Sequence, residues 1–233
     1  MRIALVGPAR PSDLAARLGG GAPALAALSG SSVIGHLATT LHDRGHEVLV
    51  VTLSRDVGAE PVRLAGPRME LRVGHYRPVH RARDAFAGER RAVQALLREG
   101  SPPDVVHAHW TYEFALAALA DGAPVVVTVH DWAPRVLRFH PHPYRLVRLG
   151  LAARVLRASR HTTAVSPYLA DRVERWTRRR PVVVPNGLPA EEFSATSTGA
   201  AHGAFVAIND GFSRWKNVAS LLHAFALLRR RRG

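Results

Sequence analysis

The sequence predicts an α/β chain built on a doubly wound parallel sheet, and two observations carry that prediction. Short apolar runs of strand length alternate with stretches whose apolar residues recur every three or four positions. The runs are continuously apolar rather than polar at every second residue, which is the signature of strands covered by helices on both faces. At 233 residues the chain is long enough for a sizeable core.

Arg2 to Val6 reads as the first strand and Glu47 to Leu53 as the second. Between them, Ser31 to Arg44 has helical spacing through Ile34, Leu37, Ala38 and Leu41, with Gly45 as its stop. Residues 8–29, rich in Gly, Ala and Pro, are expected to form a long mobile loop before that helix. Pro61 to Val73 is expected to hold a further strand, and Asp84 to Arg98 a helix ended by Ser101-Pro102-Pro103. Strand Asp104–Ala108, helix Glu113–Ala120 and strand Pro124–Val129 follow. Trp132 to Pro143 reads as a loop, Tyr144 to Ala158 as a helix and His161 to Val165 as a strand. The next helix opens with Ser166-Pro167, a cap followed by a first-position proline. Pro181 to Val184 is the seventh strand of this series, counting the one expected within Pro61–Val73 as the third.

Ala190 to Gly203 has the Ser, Thr, Ala and Gly content of a linker. Beyond it Ala204 to Ile208 reads as a strand, followed by a helix with a stripe of Val218, Leu221, Leu222, Phe225 and Leu228. One strand and one helix cannot bury such a stripe by themselves. The expected organisation is a Rossmann-like domain over 1–189, a linker over 190–203, and the first βα unit of an incomplete second domain over 204–233.

Composition narrows the function classes. There is no cysteine, which excludes disulfides and thiol chemistry. The apolar part of Met1–Pro8 is too short for a signal peptide, and no run reaches the ~18 apolar residues of a membrane span. The cytoplasm is therefore the expected address. Charge is uneven: 14 arginines face 12 acids up to His130, a net of +2, whereas 18 basic residues face 6 acids beyond it, a net of +12. A basic half suits an anionic partner: a phosphorylated substrate, a membrane surface or nucleic acid. Aromatics are not interleaved with the arginines, which argues against nucleic acid. Arg145, Arg148, Arg154, Arg157 and Arg160 spread around a helical wheel, a poor pattern for an interfacial helix, though peripheral contact with an anionic membrane stays open if the acceptor is a lipid.

In a doubly wound sheet, ligands sit beyond the carboxyl ends of the strands. Gly7-Pro8, His107-Ala108-His109-Trp110, His130-Asp131-Trp132, Ser166 and Pro185-Asn186-Gly187 stand there. His107 and His109, two apart on a strand, share a face; they could start a metal site, but no third ligand is set by spacing. His130 and Asp131 are adjacent and should point apart, His130 to the cleft and Asp131 to the following turn. No G-x-G-x-x-G, no phosphate loop with a GK[ST] ending and no D-x-D triplet is present. Helix amino-termini remain as phosphate holders, at Ser29-Gly30-Ser31-Ser32 and at Trp215-Lys216-Asn217.

Six segments in this order resemble the family 4 glycosyltransferases of the GT-B fold: Arg44-Gly45-His46-Glu47-Val48, Asp104 to Trp110, Thr128-Val129-His130-Asp131, Ala164-Val165-Ser166, Val184-Pro185-Asn186-Gly187, and Lys216-Asn217 with Ala224-Phe225. The resemblance implies a retaining, metal-independent transfer from a nucleotide-sugar to an acceptor sugar, lipid or small molecule, with no cofactor. It makes the amino-terminal Rossmann-like domain the acceptor side. It makes His130 the cleft histidine near the reacting sugar, and Lys216 the residue that neutralises the leaving diphosphate. Asn186 and Gly187 would border the donor, with Arg214 as a further donor contact. Ser29, Gly30, His109, Trp110, Asp131 and Ser166 would border the acceptor.

Three departures stand out. Leu28-Ser29 occupies the place of two adjacent glycines, and Gly211 stands where the family commonly has an arginine, with Arg214 nearby. The family's pair of glutamates on the donor side is absent. The chain alone is therefore expected to turn over little. The alternative expectation is a non-catalytic GT-B remnant that serves as a binding or interaction module.

Overall fold

A computed structural model describes residues 1–19, 28, 30–188, 207 and 216–232. In chain order the elements are β1 (Arg2–Val6), α1 (Ser32–Asp43), β2 (Glu47–Ser54), β3 (Val62–Gly66), β4 (Met69–His75), α2 (Ala87–Arg98), β5 (Val105–His109), α3 (Glu113–Leu119), β6 (Val125–Val129), α4 (Ala133–Phe139), α5 (Pro143–Ala158), β7 (His161–Ala164), α6 (Pro167–Thr177), β8 (Val182–Val183) and α7 (Val218–Arg232). The strands form one eight-stranded sheet in the order β3-β4-β2-β1-β5-β6-β7-β8. Every pairing is parallel except that of β3 with β4. From β1 the chain builds outward through β2 and β4, then returns to lay β5 on the other side. The carboxyl ends of β1 and β5 therefore flank the topological switch point, where α/β sheets open a crevice.

Strand alternation splits the core into two layers. Ile3, Leu5, Val48, Val50, Leu71 and Val73 face Ile34 and Ala38 of α1. Ala4, Val6, Leu49, Val51, Val106 and Val127 face Val93, Leu96 and Leu97 of α2 together with Phe114 and Ala118 of α3. Helices α5 and α6 continue this second layer: Val155 joins it, and Leu156, Leu169 and Val173 pack with Val129 and Ala164. So the sheet is not covered on both faces throughout, as its apolar runs suggest. Among the described residues, no helix packs over the α1-side face of β6 to β8, and that half-face opens as a cleft.

Local signals account for most boundaries. The α1 helix ends in a Schellman arrangement: Gly45 N–H donates to His42 O (2.9 Å), His46 N–H to Leu41 O (3.2 Å), and Gly45 takes a φ of 88°. Ser166 caps α6 by accepting from Leu169 N–H (3.3 Å). Three expectations need correction. The stretch Pro61–Val73 holds two strands, the β3–β4 hairpin, not one. Part of the expected loop over 8–29 is a 3-10 segment, Pro11–Arg17, because Leu14 and Leu18 have apolar surface to bury beneath α1. Trp132–Pro143 contains α4, whose Pro134 near its start and buried Ala133 are helix signals masked by the flanking prolines and histidines. The expected linker over 190–203 and strand over 204–208 lie outside the described residues, except for residue 207.

Gly30 is required by a close backbone approach. A Cβ there would stand 2.0 Å from the Ala9 carbonyl oxygen, where the Ala9–Ser31 bridge holds the start of α1 against the end of β1. Gly150, in contrast, lies within α5 with open space around it. Gly30→Ala should therefore cost about 2 kcal/mol or more, and Gly150→Ala should gain roughly 0.5–1 kcal/mol from helix propensity. Urea melts of the two variants check the contrast, and equal effects would contradict the bridge's importance.

Candidate functional site

The cleft is built by three neighbouring strands acting in register. His109 pairs across to Thr128, and Thr128 to Thr163, so one row of polar side chains runs over β5, β6 and β7 on the uncovered face. Thr128 Oγ1 lies 2.6 Å from both His107 Nε2 and Thr163 Oγ1. One step nearer the strand ends, His109 Nδ1 meets His130 Nε2 at 2.9 Å. The rings of His107 and His109 lie 4.3 Å apart, and the Trp110 indole stacks on His130 at 4.2 Å. Trp110 achieves this with a φ of 64°, a left-handed backbone that a bulky residue adopts only when its surroundings hold it there.

This row borders a cavity of about 940 Å³, closed on one side by His36, Leu37 and Thr40 of α1 and rimmed by Asn186 and Gly187 after β8. Burial pushes the imidazoles of His107 and His130 down to about 4, with the charge of His107 adding to the effect on His130. His109 is held well below its ordinary value, by burial first and then by His107 and His130. All three rings are therefore neutral at pH 7 and act as hydrogen-bonding groups rather than cations. They do not converge on a point: His107 Nε2 is spent on Thr128 and His109 Nδ1 on His130, and no metal-holding group of three ligands occurs among the described residues.

The protons of the His109–His130 pair can be placed. Among the described residues, His109 Nε2 is buried with no partner. A proton on that atom would be an orphaned buried donor, which costs more than a bare lone pair. His109 therefore carries its proton on Nδ1 and donates to His130 Nε2, which leaves His130 Nδ1 as its protonated nitrogen.

Asp131 leaves the strand on the opposite side, as adjacency requires. Its carboxylate accepts from Tyr112 Oη at 2.7 Å rather than capping the following turn. It borders a second cavity of about 330 Å³ with Trp110, Tyr76 and Arg148. Burial raises the Asp131 carboxyl above its ordinary value, and the Tyr112 hydrogen bond and the nearby arginines offset part of that rise. Below it, Glu113 at the start of α3 accepts from Tyr76 Oη (2.8 Å). The Arg148 guanidinium stands 3.5 Å from that carboxylate, 3.8 Å above the Tyr112 ring, and donates to Tyr144 Oη (2.7 Å).

Of the residues singled out in the sequence, His109, Asn186 and Gly187 line the larger cavity, His130 joins it through His109, and Trp110 links it to the smaller one. Gly30 contributes backbone at the foot of α1, and the Ser166 hydroxyl is engaged as a helix cap. Lys216 is exposed in the turn before α7. Ser29 and Arg214 lie outside the described residues. In the sequence Thr128 enters only as part of a strand end and Arg148 only as one arginine on a helical wheel, neither with a role in the site, and Thr163 is not singled out. The threonines could have been found two residues before His130 and by register on the next strand; no local signal marks Arg148 as buried.

A doubly wound sheet with a polar crevice at its strand ends defines a Rossmann-like domain. The chain belongs to Glycosyltransferase Family 4, which matches residues 30–192. It carries a glycosyltransferase domain. Among solved structures it is similar to an α,α-trehalose 6-phosphate synthase from Burkholderia multivorans, at 15% identity and a TM-score of 0.41, over 76% of this chain. The chain spans 42% of the length of that synthase. No curated protein matches the sequence. No helix among the described residues is long and apolar enough to cross a membrane.

Proposed function

We propose that this chain is the acceptor side of a retaining, metal-independent glycosyltransferase that takes its sugar from a nucleotide-sugar. In this reading residues 1–189 form the acceptor domain, 190–203 the linker and 204–233 the start of the donor domain. The observation that carries the reading is the neutral His109–His130 pair beneath Trp110, set at the switch-point edge of a family 4 domain. A neutral His130 with its proton on Nδ1 donates a hydrogen bond to a sugar oxygen without adding charge to the cleft. Asn186 and Gly187 border the donor, and Lys216 with Arg214 meets the departing diphosphate.

The test is release of nucleoside diphosphate from a panel of sugar nucleotides, with sugars, lipids and small alcohols as acceptors. His130→Ala should lower any turnover at least a hundredfold when activity is compared well below both melting temperatures. That is far more than would follow from the fall of a few degrees in melting temperature expected from stranding the buried His109 N–H. Undiminished turnover in that variant would remove His130 from the reaction. A second reading, a non-catalytic interaction module, is favoured by the exposure of Leu221, Leu222 and Leu227 on α7. It expects no turnover with any donor.

A further inference from the structure

A third cavity, of about 710 Å³, lies beyond the carboxyl ends of β6 and β7 and belongs to neither site above. Trp132 stands three residues past the end of β6, and Tyr168 is the second residue of α6, the helix that follows β7. Between them α4 contributes Arg135, Arg138 and Phe139, and α6 adds Arg172 one turn after Tyr168. Aromatic and cationic side chains thus line the cavity together.

The three arginines stand apart from those that this chain pairs with acids. Arg2, Arg17, Arg63, Arg77, Arg98 and Arg180 each meet a carboxylate within 4 Å. Arg135, Arg138 and Arg172 meet none among the described residues, and no acid lines the cavity. Among the described residues their charge is therefore uncompensated. Arg135 lies over the rings of Phe139 (5.6 Å) and Tyr168 (5.7 Å), and Arg172 over Tyr168 (5.1 Å). Stacking occupies the face of a guanidinium and leaves its in-plane N–H groups for an anion, the geometry that suits phosphate. Part of that capacity is spent internally on Tyr168 Oη, by Arg135 at 3.1 Å and by Arg172. Trp132 packs edge-on against Trp176 at 5.0 Å. The Tyr168 phenol senses the same field: slight burial would raise it, yet the hydrogen bond from Arg135 and the charges of Arg135 and Arg172 hold it below its ordinary value.

We propose that this cavity binds a phosphate or diphosphate carried on an apolar chain or ring, the anion held by Arg135, Arg138 and Arg172 and the apolar part laid against Trp132, Phe139 and Tyr168. An aromatic wall alone would select any apolar ligand, and an arginine cluster alone any anion. Side by side they select a molecule that is both. The ligand stands at the same edge of the sheet as His130, two residues before Trp132, but its binding does not depend on sugar transfer.

The experiment uses the whole chain, with calorimetry and indole fluorescence as readouts. Inorganic phosphate, phenyl phosphate and benzyl alcohol are compared in solution, and phosphatidic acid vesicles are compared with pure phosphatidylcholine vesicles by sedimentation. Phenyl phosphate should bind at least about tenfold more tightly than inorganic phosphate or benzyl alcohol and should change the indole emission. Arg135→Ala and Arg172→Ala should each weaken it about tenfold, whereas Arg180→Ala, which removes a guanidinium already paired with Asp171 and Glu174, should not. Phenyl phosphate binding without phosphatidic acid binding supports a soluble phosphorylated ligand. Arginine-dependent binding to phosphatidic acid vesicles supports a lipid headgroup. The proposal is overturned if neither binds, or if both bind equally well in the Arg135 and Arg172 variants.

Discussion

Arg148→Met is expected to destabilise the chain by about 3–5 kcal/mol, because it strands a buried carboxylate. Glu113 is 2% exposed and lies in the first turn of α3, where Tyr76 Oη satisfies one oxygen. The other oxygen, Oε2, has no hydrogen bond, and its compensation is the charge of Arg148 at 3.5 Å. That charge is secure: burial alone would lower the Arg148 guanidinium, but Glu113 and the surrounding tyrosines more than restore it. Arg148 also fills space against the Tyr112 ring, which methionine replaces with apolar contact, so the loss isolates the charge. A drop of this size lowers the melting temperature by roughly 10 °C in a chain of this length. The decisive comparison is Glu113→Gln combined with Arg148→Met. The double variant should recover at least about 2 kcal/mol relative to the sum of the single changes. Strict additivity would show that the two groups do not compensate one another.

The histidine row makes a second large effect, on pH. Unfolded histidines take up a proton near 6.5, whereas His107 and His130 resist protonation in the folded chain until about 4. Between those values the unfolded state binds more protons, so stability falls as pH falls through the window. Each histidine contributes up to about 1.4 kcal/mol per pH unit, and two of them give a loss on the order of 3 kcal/mol from pH 7 to pH 5. Asp131 works in the opposite direction, since a raised carboxyl favours the folded state as it protonates. Asp43, lowered to about 2 by its hydrogen bonds from Arg17 and His42, loses its contribution only below pH 4 and lies outside the window. Urea midpoints at pH 7, 6 and 5 measure the slope, and His107→Val, which deletes one titrating ring, should flatten it. A flat profile between pH 7 and 5 would contradict the buried neutral rings.

The strands carrying the site were legible because their chemistry is local. Continuous apolar runs ending in His109, His130 and Ser166 could be read without neighbours, and so could the Gly45 stop and the Ser166 cap. The β3–β4 hairpin and α4 were harder, since short elements carry few periods of their own pattern.

By itself, then, the amino-acid order determined an alternating α/β chain, its helix ends and the set of polar residues at the strand carboxyl ends, because these depend on spacing within a few residues. Tertiary structure alone decided which of those residues meet. Strand register set His109 against Thr128 and Thr163, the strand ends brought His130 to His109, and the absence of a helix over that half-face, among the described residues, turned the row into a cleft. It also drew Arg148, one of many arginines, into the interior beside Glu113, because charge pairing and ring stacking across distant segments leave no trace in local sequence.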